Sequence, residues 1–373
     1  MKKVLFFATC AIALFASCQK TEINYDGGPQ EISVMAVNKV ATKAPVNTAL
    51  YPEDYNMKLA AYLTAGSSDN NKHDYFDGSD FSFKSESSSW TGAKYWPLTS
   101  STLNFLAVTT PATAENYTGT VTGVTFGETS ANFAKKAEVV FKDNQTTASK
   151  FNQFDLMYAA GKQSNTITEG GVSTYNNVGL VFAHAQSWIN FQVSTNTNTA
   201  KITVNNIRLS GASYGGTLTL INENFNNPSA SATTDVTSSW NSIDVVVDNV
   251  YVPNGSTDTD SDSNGFADAN VSADGNATAV TLTESPQPFG NGLLVIPSTY
   301  TPSFIINYTI DQDGNDDTTN DVNTFEYTYA FGSTTWAMTT KYTYSVKINL
   351  TEIEVTPSVT PWTDNTATEV PLG

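Results

Sequence analysis

The stretch Val178-Gly-Leu-Val-Phe-Ala-His-Ala-Gln-Ser-Trp-Ile-Asn-Phe-Gln-Val193 is the longest strand-like segment of the chain and indicates its fold class. Its apolar residues recur at alternate positions over much of its length, and many are β-branched or aromatic. A period of two is typical of a strand that buries one face. We therefore predict one long strand over residues 178–193 and an all-β fold around it.

Shorter segments of the same kind recur on both sides of this stretch. Turn-forming residues separate them, and windows with helical spacing are rare. The predicted strands are residues 31–37, 104–109, 200–209, 216–221, 243–252, 292–297, 303–310, 325–331 and 341–350. Short strands at this spacing favour β-sandwiches, and 373 residues are enough for two of them. We place the boundary between two tandem sandwiches near Ser173.

The N-terminal segment has the layout of an export signal. Lys2 and Lys3 precede an apolar run from Val4 to Ser17, which is shorter than the roughly 20 residues needed to span a bilayer. The run ends in small residues before Cys18, and this arrangement resembles a bacterial lipoprotein signal, in which the cysteine is lipidated. We predict a signal peptide over residues 1–17, a palmitate-bearing Cys18, and membrane contact only through this anchor. The alternative is an ordinary cleaved signal followed by a chance cysteine.

Cysteine content and charge exclude two further features. The chain has two cysteines, one of them inside the predicted signal, so no disulfide can staple the mature fold. The formal net charge is −18, and a surface this acidic repels phosphate backbones, which argues against nucleic-acid binding. Between residues 202 and 340 the single basic residue is Arg208, which lies inside a predicted strand.

Motifs of catalysis are absent from the sequence. Its two histidines are His73, in a polar stretch, and His184, among the apolar residues of the long predicted strand. We interpret His73 as a solvated loop residue and His184 as a packed, hydrogen-bonded structural residue. No nucleophile elbow, zinc-protease helix or phosphate-binding glycine loop is present. We therefore predict that the protein is not an enzyme.

An acidic stretch at residues 258–270 has the composition of a calcium-binding loop. Oxygen-bearing side chains stand at alternate positions, and Gly265 lies where the chain must turn sharply. The candidate ligands are Asp258, Asp260, Asp262, Asn264 and Asp268. We expect a bound calcium ion to be structural, and we expect no other cofactor. The alternative is a solvated acidic loop.

Three aromatic residues near one another in the sequence are candidates for a sugar-binding face. They are Trp90, Tyr95 and Trp96, and they stand beside Pro97 and the predicted strand at residues 104–109. Because large aromatic residues next to a strand usually pack into a core, we interpret all three as core residues.

A series of short motifs follows the signal in a fixed order. They are Tyr95-Trp-Pro-Leu98, Leu103-Asn-Phe-Leu-Ala107, Phe154-Asp-Leu-Met-Tyr-Ala-Ala160, Leu180-Val-Phe-Ala-His184, Leu293-Leu-Val-Ile-Pro297, Tyr342-Thr-Tyr-Ser-Val-Lys-Ile-Asn-Leu350 and Pro361-Trp-Thr-Asp364. Behind a lipoprotein signal, this series resembles the fimbrillin family of Bacteroidetes, the Mfa-like and FimA-like pilins. The resemblance implies two tandem β-sandwich domains, transthyretin-like and of Greek-key type, that assemble into a surface fimbria.

The resemblance also implies a route of assembly. A trypsin-like protease removes an N-terminal segment that forms one strand of the fold, and a strand of another subunit fills the apolar groove that is left. The expected propeptide strand covers residues 18–43, the N-terminal domain 44–173 and the C-terminal domain 174–373. The candidate cleavage sites are Lys43, which precedes Ala44, and Lys39. The alternative is that Lys43 is a solvated linker residue.

The donor strand is expected near the C-terminus, where apolar residues alternate with glutamates. The candidate donor residues are Ile353, Val355, Trp362, Val370 and Leu372. Prolines at positions 357, 361 and 371 cannot donate backbone hydrogen bonds, so we expect interruptions in any pairing. The alternative is that these residues complete the C-terminal sandwich and stay there.

The predicted function is that of a fimbrial structural subunit on the cell outer membrane surface. Its expected partners are other fimbrial subunits, the maturation protease, and host or bacterial surface ligands if the fimbria is adhesive. A monomeric surface lipoprotein that binds glycans or host ligands is the alternative. The two differ in proteolytic maturation and in the formation of stable oligomers.

Overall fold

A computed structural model of the chain describes residues 22–24, 29–38, 55–63, 73–112, 121–128, 135–142, 153–167, 172–222, 236–244, 246–252, 279–312 and 322–361. These ranges form strands, turns and bends without a helix, so the predicted all-β class is confirmed. Within them there is accordingly no helix long and apolar enough to cross a membrane.

Twelve strands precede residue 195. They are β1 (Glu22–Asn24), β2 (Glu31–Asn38), β3 (Tyr55–Leu63), β4 (His73–Lys84), β5 (Ser89–Tyr95), β6 (Ser101–Pro111), β7 (Val121–Glu128), β8 (Lys135–Phe141), β9 (Met157–Ile167), β10 (Val172–Thr174), β11 (Val178–His184) and β12 (Ser187–Ser194).

Twelve more strands complete the described chain. They are β13 (Lys201–Ser210), β14 (Gly216–Asn222), β15 (Val236–Asn241), β16 (Val250–Tyr251), β17 (Val280–Thr281), β18 (Gln287–Val295), β19 (Ser298–Tyr300), β20 (Ser303–Asp311), β21 (Val322–Ala330), β22 (Thr334–Trp336), β23 (Thr340–Ile348) and β24 (Ile353–Pro361).

The first large sheet closes on itself. Its nine strands run in the order β1-β10-β9-β11-β2-β5-β4-β3-β6, and β6 also pairs with β9. This last pairing closes seven strands, β9, β11, β2, β5, β4, β3 and β6, into a barrel-like ring. Closure removes sheet edges that would otherwise pair with other chains. The first core lies against this ring and includes Leu59, Phe105, Leu156 and Leu180.

A second core lies between two open sheets. One sheet has the order β18-β12-β23-β24, and the other has the order β16-β13-β20-β21 with β17 beside β13. Phe191 of β12 and Phe304 of β20 meet edge to face across the two sheets, with ring centroids 4.5 Å apart. Tyr344 of β23 and Val346 are also buried in this core.

A further sheet joins strands from both sides of residue 173. Its order is β15-β14-β8-β7, and β14 pairs with β8 from Gly216↔Phe141 to Asn222↔Lys135. Leu218 and Leu220 of β14 belong to the first core. The boundary near Ser173 stays a prediction, and a backbone ladder ties the two halves of the chain together across it.

Two strand predictions are wrong in detail. Residues 178–193 form two strands, because the backbone leaves the ring after His184 and enters the sheet of β12 at Ser187. The alternation of apolar residues continues on both sides of this crossing, so the sequence pattern hides it. The described residues of the range 243–252, which exclude 245, contain only the short strand β16, since Asn249 has a φ of 59° just before it and breaks the extended backbone.

Candidate functional site

Strand β2 is one of the strands that form the ring, between β11 and β5, although it comes early in the sequence. On one side it pairs in parallel with β11, from Val34↔Val178 to Asn38↔Phe182. On the other side it pairs antiparallel with β5, where Val34 lies opposite Trp90. A segment that is flanked on both sides in this way leaves two open strand edges when it is removed.

The side chains of β2 alternate between the core and the surface. Ile32 and Val34 are fully buried and Ala36 is 6% exposed, whereas Met35 between them is 36% exposed. Full burial of an Ile or Val side chain stabilises a fold by about 1.5–3 kcal/mol. The space that these three side chains occupy is therefore an apolar slot with a fixed order of large, medium and small pockets.

Polar contacts fix the register of β2 against β5. Ser33 donates a hydrogen bond to Ser89 between the two Oγ atoms, 2.7 Å apart. The backbone N–H of Ala93 donates to Glu31 Oε1 at 2.8 Å, and Trp96 N–H donates to the carbonyl of Gln30. A shift of one residue would turn the apolar side chains of β2 to the surface, so these contacts support one register.

Strand β11, the parallel neighbour of β2, is anchored at its end by a buried pair. His184 Nδ1 lies 2.8 Å from Asp155 Oδ2, and the two side chains are 1% and 0% exposed. The prediction that His184 is packed and hydrogen-bonded is thus confirmed, and its structural role stays a prediction. Its partner Asp155, which lies 29 residues earlier and before β9, was not predicted.

The segment that carries Asp155 is itself held by polar contacts. The N–H of Ala185 donates to the carbonyl of Leu156, whose own N–H donates to Gln186 Oε1. The N–H of Asp155 donates to the hydroxyl of Tyr55 at 3.0 Å. Polar residues placed inside apolar runs were the available signal, since buried polar groups are normally hydrogen-bonded.

Gln153 connects this segment to the second half of the chain. Its Nε2 donates to the carbonyl of Gly292, and its Oε1 accepts from the N–H of Leu294 at 2.7 Å. Both contacts reach β18, which pairs with β12. The buried amide therefore fixes the ring against the sheet that contains β12, β23 and β24.

Strand β24 is the outermost strand of its sheet. It pairs with β23 over nine residues, from Ile348↔Ile353 to Thr340↔Pro361. Ile353 and Val355 are partly buried against the second core, and Val359 is 60% exposed. The expected interruption at the prolines within β24 is wrong, because the register continues through both; an edge strand tolerates proline where its nitrogen faces away from the ladder.

Most of the other predicted site residues lie outside the described residues. These are Cys18, Lys39, Lys43, Ala44, Trp362, Val370 and Leu372, together with the calcium candidates Asp258, Asp260, Asp262, Asn264 and Asp268. Lipidation, the cleavage position and calcium binding therefore stay predictions. β2 ends at Asn38, directly before the first candidate lysine.

Arg208 lies inside a strand, as predicted. It belongs to β13, which is paired on both sides. Its guanidinium forms an ion pair with Glu326 and lies 5.6 Å from the ring centroid of Tyr251. A protease needs an extended and accessible backbone, so this arginine is a poor cleavage site.

The three aromatic residues divide between core and surface. Trp90 and Trp96 are buried, which confirms the interpretation of both as core residues. Trp90 also donates from Nε1 to the carbonyl of Tyr55 at 2.8 Å. The interpretation is wrong for Tyr95, which is 43% exposed because it lies at the end of β5 and turns outward.

The closed ring, its buried N-terminal strand and the exposed C-terminal strand define an all-β protein with two separate cores. The chain matches the model of the fimbrillin-like family over residues 42–362, and it belongs to that family. No match was found among curated proteins.

Two solved structures illustrate the likeness. A crystal structure of a fimbrial protein from Bacteroides vulgatus is 16% identical, with a TM-score of 0.51 over 88% of this chain and 99% of that one. A fimbrial assembly protein from Parabacteroides distasonis is 11% identical, with a TM-score of 0.35 over 90% of this chain and 100% of that one. The first of these supports the fold.

Proposed function

We propose that the protein is a subunit of a surface fimbria. It is exported as a lipoprotein anchored at Cys18, is cut by a trypsin-like protease at Lys43 or Lys39, and polymerises by strand exchange. We infer that its fold derives from two tandem β-sandwich domains and that its partners are other fimbrial subunits. Membership of the fimbrillin-like family supports the fimbrial role.

The position of β2 carries this proposal. A cut at Lys39 or Lys43 separates β2 from β3 and leaves it held by pairing and burial alone. Its release opens the edges of β5 and β11 and exposes the slot of Ile32, Val34 and Ala36. Exposed edges beside an apolar groove bind an extended strand through backbone hydrogen bonds, while the pockets select its side chains.

The chain carries a second segment with the side-chain order of β2. β2 begins Glu31-Ile-Ser-Val34, and the C-terminal region contains Glu352-Ile-Glu-Val355. In both segments the isoleucine and valine face a core, and the residue before the isoleucine is a glutamate. Residues 352–355 of a second copy therefore offer the slot the same large and medium side chains in the same phase.

Strand β24 is also suited to leaving its own sheet. Among the described strands it has one neighbour, β23, and apart from Ile353 and Val355 its side chains are exposed. Detachment therefore uncovers little apolar surface, and the free energy lost is regained when the same two side chains enter the slot of another subunit. A partner strand from a second copy is the occupant that this arrangement favours.

Limited digestion of purified residues 19–373 with trypsin tests the proposal. We expect one cleavage in the region of Lys39 and Lys43, followed by a ladder of oligomers on a semi-denaturing gel. Replacement of both lysines by alanine should prevent the cut and the ladder. Lys142→Ala, at an exposed lysine after β8, is the matched control and should change neither. Cleavage without any ladder would contradict polymerisation by strand exchange.

A second function, glycan binding by a monomer, has one observation in its favour. Tyr75 and Tyr95 are both exposed, and the hydroxyl of Tyr75 donates to the carbonyl of Tyr95 at 2.7 Å. Exposed, ordered aromatic rings can stack on sugars. A glycan array with the uncut protein tests this, and binding that is lost in Tyr75→Ala and Tyr95→Ala would support it.

A further inference from the structure

Strand β11 depends on β2 for most of its described backbone pairing. Of its seven residues, Val178 to Phe182 pair with β2, and only Ala183 and His184 pair with β9. If β2 leaves, the first five residues lose their described backbone ladder and keep only packing contacts with β9, such as that between Leu180 and Gly161. The strand whose edge must receive the incoming strand then keeps backbone pairing at only Ala183 and His184 among its described residues.

The described hydrogen bonds that remain lie at the end of β11. The Asp155–His184 pair is buried there, beside the hydrogen bond from Ala185 N–H to the carbonyl of Leu156. On its other side, the segment of Asp155 is fixed to the ring by Thr109 of β6, whose hydroxyl accepts from Met157 N–H at 2.8 Å. None of these contacts involves β2, so all of them persist after its removal.

We propose that the Asp155–His184 pair is a positioning contact for strand exchange, holding β11 in place while the slot is empty. The inference rests on the proposed function, because it assumes that β2 leaves and another strand enters. A partner binds more tightly to an edge that is already ordered, since less conformational entropy is lost on docking. A buried hydrogen bond that survives the opening supplies this order.

A purely structural role makes a different prediction. In the uncut protein β2 supports β11 along five residues, so loss of the pair affects the stability of the fold as any buried hydrogen bond does. A positioning role adds a larger effect on strand capture by the opened protein. A variant without the pair should therefore lose more free energy of strand capture than free energy of unfolding.

The experiment uses protein cut by trypsin and a fluorescent synthetic peptide of residues 29–38. Capture of the peptide in exchange for the bound propeptide is followed by fluorescence anisotropy, and unfolding of the uncut protein is followed in parallel. In His184→Phe, which keeps a ring but removes the hydrogen bond, we expect capture to weaken by about tenfold or more. His184→Asn, which retains a donor, should recover part of it.

A control variant removes a buried hydrogen bond elsewhere. Tyr344→Phe deletes the acceptor of Trp336 Nε1, 2.9 Å away in the second core, and should capture the peptide as the wild type does. Equal capture by His184→Phe and wild type would overturn the inference. If the wild type itself captures no peptide, the proposed function fails and the inference fails with it. If His184→Phe does not fold, Asp155→Leu, which has a similar size but no hydrogen-bonding group, replaces it with the same two outcomes.

Discussion

Gln153 donates a hydrogen bond from Nε2 to the carbonyl of Gly292 across 2.8 Å, and this contact joins the ring to β18. Gly292 has a φ of +74°, and a Cβ placed there would lie 2.5 Å from the carbonyl oxygen of Ile189. The close approach of the two backbones leaves room for glycine only. The amide of Gln153 thus binds backbone groups of β18 at a point where only a glycine allows the two segments to approach.

Replacement of Gln153 by alanine should destabilise the protein by about 3 kcal/mol. The change leaves the carbonyl of Gly292 and the N–H of Leu294 buried without this partner, and each such group costs about 1–3 kcal/mol. Urea unfolding measures the loss. Gln287→Ala, at a half-buried glutamine on the same strand whose hydrogen bonds are open to solvent, is the control and should change stability by about 1 kcal/mol or less. A loss no larger than that for Gln153→Ala would contradict the role of the amide.

Gly161→Ala should destabilise the packing of β11 against β9. A Cβ at this position of β9 would lie 2.7 Å from Leu180 Cδ2 and 3.2 Å from the carbonyl oxygen of Gly179. Such overpacking typically costs about 1–3 kcal/mol, which thermal unfolding measures as a lower midpoint. Gly127→Ala in β7 is the matched control, because nothing lies within 4 Å of its Cβ. That variant should be as stable as the wild type or slightly more stable.

Local patterns predicted about half of the described strands and none of their partners. The alternation at residues 31–37 is sufficient to identify β2, because one of its faces is buried. Its place between β5 and β11 depends on contacts more than 50 residues apart in sequence, which a period of two does not contain. The crossing at Ala185 and Gln186 was missed for the same reason. The alternation of apolar residues continues from β11 into β12, so the break between the two strands is visible only as a change of sheet.

The candidate site was predicted in its apolar part and missed in its polar part. Ile353 and Val355 stand out because they alternate with glutamates, and both contact a core. Asp155, Gln153 and Gln186 are single polar residues in apolar surroundings, a pattern that equally fits a solvated strand face. Their partners become known only when the chain is folded, because hydrogen bonds over 29 to 141 residues leave no local spacing.

Tyr300 should make the stability of the protein sensitive to alkaline pH. Burial raises the pKa of its hydroxyl to about 12, and the hydroxyl donates to the carbonyl of Ile296 at 2.8 Å. In the unfolded chain a tyrosine ionises near pH 10, so the neutral hydroxyl stabilises the fold fully below pH 10. This contribution, on the order of 2 kcal/mol, is lost as the pH rises from about 10 to about 12.

The variant Tyr300→Phe isolates this effect. At pH 8 it should be less stable than the wild type by about 1 kcal/mol, because the buried carbonyl of Ile296 loses its donor. Between pH 10 and pH 12 the difference should shrink and then change sign, since phenylalanine cannot ionise. Guanidinium unfolding curves at a series of pH values measure it. A difference that stays constant over this range would show that ionisation of Tyr300 does not limit alkaline stability.

The side-chain match between β2 and β24 predicts which residues control polymerisation. Ile353→Ser combined with Val355→Ser removes the two side chains that would enter the pockets of Ile32 and Val34. Each loss of a buried aliphatic side chain is worth about 1.5–3 kcal/mol, so the oligomer ladder should disappear after trypsin cleavage. The monomer should remain folded, because both residues are only partly buried at an edge strand.

Val359→Ser separates the match from a general need for apolar residues in β24. Val359 lies on the same strand, is 60% exposed and falls outside the Glu-Ile-x-Val segment, so this variant should form the ladder as the wild type does. Semi-denaturing gels and intact mass measured after equal digestion compare the three proteins. A ladder that persists in the double variant, or that is lost in Val359→Ser, would locate the donor elsewhere and reject the register in which Ile353 replaces Ile32.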